Sequence, residues 1–293
     1  MPGYDYVIIG GGSAGCTLAA RLSEDPSASV CLLEAGGANK ELLVRMPAGV
    51  GNLIKDKGKH NWGFWTEPEP HLNNRRLWWP RGRGLGGSSA INGMIWIRGH
   101  QRDYDEWRQL GLAGWGWADV LPYFRKAEDN ERGADALHGA GGPLGVSDLR
   151  DRHPLAAAYV EAAQQCGYPR NDDFNGAQQE GAGFYQTTTR NGVRSSTAVA
   201  YLAPARSRGN LKVVPEALAT RILFDGHRAV GVEYTAGGEK RIARANVEVI
   251  VSSGAFNAPQ LLQLSGLGPA ALLTSHGIPV IADMPGVGDN LND

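Results

Sequence analysis

Cysteine is scarce in this 293-residue sequence: Cys16, Cys31 and Cys166 are the whole set, and none belongs to a Cys-x-x-Cys pair. An odd number of cysteines without histidines at metal-ligand spacing excludes a disulfide-framed domain and a zinc centre, so no metal ligands are predicted. Cys16 and Cys31 fall in a predicted helix and a predicted strand, and they are interpreted as small core residues.

An excess of charge and a long apolar run are also missing. Lys and Arg number 29 against 30 Asp and Glu, for a net charge of −1, which gives no electrostatic argument for nucleic acid as a partner. No apolar run approaches the ~20 residues of a membrane span, and a strand is predicted too close to Met1 to leave room for a secretory signal. We expect a cytoplasmic protein, with peripheral association at the inner membrane as the alternative.

Glycine, in contrast, is abundant, with 41 residues gathered in blocks. Such blocks are typical of backbone that takes positive φ or approaches a ligand closely. Two blocks have the spacing G-x-G-x-x-G, one over residues 10–15 and one over residues 82–87. The sequence therefore raises the question of whether there are two dinucleotide sites or one.

The first glycine block lies in the context that a dinucleotide site requires. The stretch "YDYVIIGGGSAGCTLAARL" reads as strand, turn and helix, and "SVCLLEAG" reads as a second buried strand. Gly10 permits the tight turn, Gly12 lets a pyrophosphate approach the helix N-terminus, and Gly15 allows the helix to pack on the strand. Glu34 ends the second strand, where its carboxylate can bind ribose hydroxyls and repel a 2′-phosphate. A dinucleotide site without preference for NADP is predicted here.

The second glycine block does not have that context. Pro80 lies two residues before Gly82, and no acidic residue ends a second strand about 20 residues further on. The following Ser88, Ser89 and Asn92 suggest a loop that passes a flat ligand with polar edges. A second dinucleotide site is therefore not predicted.

The rest of the chain mixes helices and strands. Helices are predicted within residues 101–130 and in "HPLAAAYVEAAQQCGY", and a loop over residues 131–153. Strands are predicted over residues 211–251, with a hairpin at the Asp225-Gly226 turn, and a short helix in "PQLLQLSGLG". Residues 40–80 lack periodicity and are expected to cover a site.

Two stretches resemble the signatures of the glucose–methanol–choline (GMC) flavoprotein oxidoreductases. "GRGLGGSSAINGMIWIRGHQRDYD" is similar to the first signature and "SSGAFNAPQLLQLSGLG" to the second, with Ala258 where Ser or Thr is usual. The likeness spans the chain from "YDYVIIGGGSAG" to "PGVGDNLND". It implies an α/β fold: a Rossmann-like FAD-binding domain, with a parallel sheet flanked by helices and a β-meander, plus the beginning of an α+β substrate domain.

The resemblance implies FAD as the cofactor, at positions that match the family one by one. Ser13 and Ala14 would lie at the pyrophosphate with Gly12, Glu34 at the ribose, and the backbone of Ala219 at the adenine. The predicted cofactor-binding residues are Gly10, Gly12, Ser13, Ala14, Gly15, Glu34, Trp62, Gly82, Gly86, Gly87, Ser88, Asn92, Gly93, Ile95 and Ala219.

Two positions refine this cofactor prediction. Trp62 matches an aromatic residue that covers the cofactor in some relatives, with a packed surface tryptophan as the alternative. Ile91 stands where relatives with covalently attached flavin have histidine, and isoleucine offers no nucleophile. Non-covalent FAD is predicted.

The resemblance places the catalytic base, a histidine with a His or Asn partner, near the C-terminus of the full-length relatives. We expect no catalytic residue in this chain: His100 directly follows the first signature but is not expected to be the base, and the other histidines are interpreted as surface residues, namely His60, His71, His138, His153, His227 and His276. The predicted domains are residues 1–150 and 198–293, the two parts of the FAD-binding domain, and residues 151–197, a partial substrate domain.

The expected reaction is oxidation of a primary alcohol, aliphatic or choline-like, to the aldehyde, with electrons passed to a quinone or dye-type acceptor. This chain would be the FAD-binding N-terminal part. Three alternatives stay open: an FAD-binding subunit that needs a complementing C-terminal chain, a flavin-dependent lyase of the same family, and an NAD-dependent dehydrogenase. The basic aromatic run "NNRRLWWPRGR" lies inside the signature region, so nucleic acid is not an expected partner.

Overall fold

The computed structural model describes residues 3–55 and 57–291. The α-helices are α1 Ser13–Leu22, α2 Leu42–Arg45, α3 Val50–Leu53, α4 Gln101–Gln109, α5 Trp117–Ala127, α6 Pro154–Gln165, α7 Ala203–Ala205, α8 Gly254–Leu264 and α9 Ala270–Ser275. The strands are β1 Tyr4–Ile9, β2 Val30–Leu33, β3 Phe64–Trp65, β4 Trp78–Trp79, β5 Ile95–Trp96, β6 Glu128–Asn130, β7 Leu144–Val146, β8 Gln186–Thr187, β9 Thr189–Arg190, β10 Val193–Arg194, β11 Leu211–Val214, β12 Ala217–Asp225, β13 Arg228–Ala236, β14 Glu239–Val251, β15 Leu267–Gly268 and β16 Ala282–Asp283.

The chain forms two compact units. The first unit comprises Met1–Val44, Gly49–Asn92 and Thr197–Asp293, and the second comprises Arg45–Ala48 and Gly93–Ser196. Within the described residues, no helix is long and apolar enough to cross a membrane.

The first unit is built on one six-stranded sheet in the order β11-β2-β1-β14-β13-β12. The first four strands are parallel neighbours, whereas β14, β13 and β12 form an antiparallel meander. Strand β14 belongs to both parts, because its early residues pair with β13 and its late residues with β1. The predicted Asp225-Gly226 turn joins β12 to β13, where Asp225 pairs with Arg228.

Both faces of the parallel part of this sheet are covered, which explains the buried apolar run of Val30–Leu33 in β2 and the buried end of β1. Successive residues of β1 point to opposite faces, so that Ile8 packs with α1 on one face while Val7 and Ile9 pack with the meander on the other. The predictions for Cys16 and Cys31 are confirmed, since both thiols are buried in these two clusters. The predicted fold class is confirmed.

The second unit begins much earlier in the chain than the predicted substrate segment. Residue 151 does not mark a boundary between compact units, because β5 pairs with β8 and Ser147 bridges Thr187. These long-range pairings join residues 93–150 to residues 151–196, and they leave no local signal in the sequence. Part of the predicted loop over residues 131–153 forms β7, which pairs with β6.

The interpretation of His138 as a surface residue is wrong. Its side chain is 7% exposed and lies between two carboxylates, with Nδ1 3.2 Å from Glu128 and Nε2 3.0 Å from Asp173. The hydrogen bonds to Asp173 and Glu128 raise the pKa of His138 to about 9. The burial of His138 depends on carboxylates from other parts of the chain, and composition and local sequence pattern do not show such contacts. Two other histidines have structural roles, since His100 and His153 cap α4 and α6.

The His138 contacts predict that the second unit loses stability at alkaline pH. The pKa in the folded state lies above the value near 6.5 of an unfolded histidine. Protonation of His138 therefore stabilises the fold fully below about pH 6.5, and this contribution, up to about 3 kcal/mol, is lost as the pH rises through about 9. Urea unfolding of the wild type and of His138→Gln at a series of pH values measures this contribution as the difference in their free energies of unfolding. The difference between the two proteins is expected to fall as the pH rises through about 9; a difference independent of pH would contradict the assignment.

Candidate dinucleotide-binding site

The candidate site lies at the carboxyl edge of the parallel strands. Strands β1, β2 and β14 end at Ile9, Leu33 and Val251, and all three residues line one cavity of about 770 Å³. Ligands of open α/β sheets bind outside the carboxyl ends of the strands, and the volume lies in the range of about 300–1,000 Å³ found for ligand pockets. Every residue that lines this cavity belongs to the first unit.

The N-termini of two helices open into this cavity. Gly12 precedes α1 and Ser253 precedes α8, both line the cavity, and no side chain caps either helix. The first N–H groups of a helix have no partner within the helix and carry a partial positive charge. Both helix ends are therefore suited to an anionic group such as a pyrophosphate.

The two glycine blocks contact each other directly in the structure. A Cβ on Gly87, whose φ is +49°, would lie 2.6 Å from the Gly12 Cα. The Gly86 N–H donates a hydrogen bond of 2.8 Å to the Gly11 carbonyl, and a Cβ on Gly15 would lie 1.8 Å from the Gly10 carbonyl oxygen. Only glycine permits these approaches, so both blocks belong to one site.

The Glu34 carboxylate connects the two blocks at the edge of the cavity. It accepts hydrogen bonds from the N–H groups of Gly11 at 2.7 Å, Gly36 at 2.8 Å and Gly84 at 2.9 Å. Glu34 also lines the cavity, in which Arg81 is the other charged residue among the described lining residues. The sequence correctly places an acid at this edge, but it does not reveal the bonds to Gly36 and Gly84.

An aromatic cluster forms another wall. Trp62, Phe64 and Phe256 line the cavity, with the Phe64 and Phe256 ring centroids 5.3 Å apart. The Arg81 guanidinium carbon lies 4.7 Å from the Phe256 ring centroid, within reach of a cation–π interaction. Trp62 and Phe64, from the aperiodic stretch of residues 40–80, therefore line the cavity as expected, and Arg81 directly follows that stretch.

The structure brings ten of the predicted cofactor-binding residues together in the cavity lining: Gly10, Gly12, Ser13, Ala14, Glu34, Trp62, Gly82, Gly87, Ser88 and Ala219. Five lie outside that lining. Gly15 and Gly86 act through the backbone contacts given above, and Asn92 is exposed. Gly93 and Ile95 are exposed residues of the second unit.

Several lining residues were missed by the sequence analysis. Arg81 directly precedes the second glycine block, and residues 252–257 lead into and begin α8. The second signature was the available signal for residues 252–257, because it contains all of them. Nothing local points to the contact between Arg81 and Phe256, which are far apart in sequence.

The fold and the site together define a dinucleotide-binding protein of the Rossmann type. The family model described as GMC oxidoreductase matches residues 4–293. The chain belongs to this family, as the resemblance predicted. The family confirms FAD as the predicted cofactor.

Relatives extend this comparison. The chain is 52% identical over 298 residues to the mitochondrial choline dehydrogenase of Homo sapiens, covering 99% of this chain and 50% of the relative. It is 50% identical over 293 residues to the alcohol dehydrogenase [acceptor] of Pseudomonas putida, covering 99% of this chain and 53% of the relative. The solved pyridoxine 4-oxidase from Mesorbium loti superposes with a TM-score of 0.92 at 35% identity, over 96% of this chain and 55% of the oxidase. The chain thus spans about half the length of these relatives.

Proposed function

We propose that this chain is the FAD-binding part of a flavin-dependent dehydrogenase that oxidises a primary alcohol, aliphatic or choline-like, to the aldehyde. Electrons then pass to a quinone or dye-type acceptor. The names of the human and Pseudomonas putida relatives support an alcohol as the substrate and a separate electron acceptor. Bound FAD supplies the hydride acceptor for this reaction.

One observation carries the proposal: both glycine blocks and two uncapped helix N-termini meet at a single cavity. The residues fit FAD, since Gly12 and Gly87 leave the backbone open and the helix ends favour the pyrophosphate. The carboxylate of Glu34 lies at the end of β2, where a ribose is expected. Ala219 and the neighbouring residues of β12 line the same cavity, which supports their assignment to the adenine.

Non-covalent attachment is supported by the position of Ile91. This residue is 2% exposed and packs with Val44, Leu53 and Ala90 in a small apolar cluster. It supplies no nucleophile for a bond to flavin.

The residues of this chain bind and orient, and the proposed base lies in the part that the longer relatives carry. None of the described residues that line the cavity is a histidine. An FAD-binding subunit that needs a complementing C-terminal chain is the second candidate.

The experiment that tests the alcohol proposal compares the chain alone with a chimera. The chain is joined to the C-terminal half of the Pseudomonas putida alcohol dehydrogenase [acceptor], and dye reduction is measured with choline and primary alcohols. The chain alone is expected to be inactive and the chimera active, because the base must be added. Rapid dye reduction by the chain alone, or a chimera that holds FAD but oxidises no alcohol, would contradict the proposal. Reduction of NAD by either protein would favour the alternative that the protein is an NAD-dependent dehydrogenase.

A further inference from the structure

We propose that Glu34 is a positioning residue that joins the two glycine blocks before any cofactor binds. This role differs from the ribose contact, and it rests on the proposed function only where cofactor affinity is concerned. It means that the cavity is assembled by the folded chain and is not created by the ligand.

The hydrogen bonds of Glu34 reach both blocks at once. One carboxylate oxygen, Oε2, accepts from the Gly11 N–H in the first block at 2.7 Å. The other, Oε1, accepts from the Gly36 N–H at 2.8 Å and from the Gly84 N–H in the second block at 2.9 Å. Bonds from N–H groups to a charged acceptor are stronger than bonds between neutral groups. Glu34 therefore connects the first block to Gly84, which lies 50 residues after Glu34 in the chain.

Burial makes these three bonds important. Glu34 is 6% exposed, so its carboxylate depends mainly on these N–H donors and only a small part of it faces the cavity. A buried carboxylate without donors is costly, and so is a buried N–H group without an acceptor. The charge and the three backbone groups therefore stabilise each other.

The surrounding backbone is packed closely around this carboxylate. A Cβ on Gly11 would lie 3.1 Å from the Glu34 Cβ, and a Cβ on Gly36 would lie 2.3 Å from the Gly84 nitrogen. The Leu85 N–H donates a bond of 2.9 Å to the Gly37 carbonyl, which continues the junction. The glycines in both blocks thus serve the junction at Glu34 as well as the cavity.

Glu34→Gln keeps the shape of the side chain but replaces one acceptor oxygen by an NH₂ donor. That NH₂ group would face either the Gly11 N–H or the N–H groups of Gly36 and Gly84. One of the two blocks must then lose its bond to residue 34, although no ligand is present.

Amide hydrogen exchange of the ligand-free chain, followed by NMR, tests this inference. In Glu34→Gln, exchange at Gly11 or at Gly84 is expected to be about tenfold faster, while Ile8 and Leu32 in the sheet are unchanged. Glu216→Gln, which removes the same charge from an exposed residue directly before β12, is the matched control and is expected to leave all four amides unchanged. FAD affinity measured on the same samples is expected to fall in Glu34→Gln alone.

Two results would overturn the proposal. Unchanged exchange in ligand-free Glu34→Gln with weakened FAD binding would mean that Glu34 acts only by touching the ligand. Equal acceleration at Ile8 and Leu32 would mean a general loss of stability. If Glu34→Gln does not fold, amide exchange of the ligand-free wild type is the test. The proposal then requires slow exchange at Gly11 and Gly84, and rapid exchange at these amides refutes it. A wild type that binds no FAD overturns the proposed function and leaves the exchange comparison valid.

Discussion

Glu128→Ala is expected to destabilise the second unit by about 3–5 kcal/mol, the cost of removing one partner from a buried ion pair. Glu128 is fully buried and accepts hydrogen bonds from Arg98 at 2.6 Å and from Trp96 at 3.0 Å. It also accepts from Asn130 at 2.9 Å and lies 3.2 Å from His138 Nδ1. Burial alone would raise the pKa of Glu128, but these contacts together hold it below the usual value. Alanine leaves the buried cations of Arg98 and His138 without their shared carboxylate.

The measurement is urea unfolding near neutral pH, with Asp172→Ala as the control in the same unit. Asp172 pairs with Arg170, but the two side chains are 63% and 56% exposed. An exposed pair of this kind contributes less than about 1 kcal/mol. Equal unfolding free energies for the two variants would show that the buried network does not stabilise this unit. Loss of the folded second unit in Glu128→Ala alone would confirm the expectation in its strongest form, because whole domains are stable by only about 5–15 kcal/mol.

Gly87→Ala is expected to weaken FAD binding by about tenfold to a hundredfold. The new Cβ would lie 2.6 Å from the Gly12 Cα, so the two glycine blocks must move apart. Overpacking of this kind costs about 1–3 kcal/mol, and each 1.4 kcal/mol is about tenfold in affinity. Titration of the chain with FAD, followed by quenching of flavin fluorescence, measures the change.

Gly226→Ala separates the steric effect from the backbone effect. Gly226 has a φ of +58°, close to the +49° of Gly87, but a Cβ there meets nothing within 4 Å. It lies in the turn between β12 and β13, so the variant is expected to lose some stability and keep its FAD affinity. Similar losses of affinity in both variants would show that contact between the blocks is not what the site requires.

The elements that local pattern determines were predicted well. The strand, turn and helix around Gly10 to Gly15 follow from apolar runs and glycine spacing, and the Asp225-Gly226 turn follows from its dipeptide. Helix α8 begins at Gly254, five residues before the predicted "PQLLQLSGLG", and it contains Pro259 in its interior.

The features that depend on distant partners could not be predicted. The main segment of the second unit begins at Gly93 because short strands pair across about 90 residues, as Trp96 does with Gln186. His138 is buried against Asp173, which lies 35 residues further along the chain. The contact of Arg81 in the cavity needs Phe256 from helix α8. No local period or motif records such contacts, whereas the glycine spacing and the following Ser88, Ser89 and Asn92 already suggested that the second glycine block passes a ligand.

Binding of FAD to the purified chain is the most direct test of the central claim, that two glycine blocks form a single FAD site. Titration is expected to give a yellow complex with one FAD per chain, from which ADP displaces FAD because both require the α1 N-terminus. A folded chain that binds no FAD, or that binds NAD in its place, would contradict the claim.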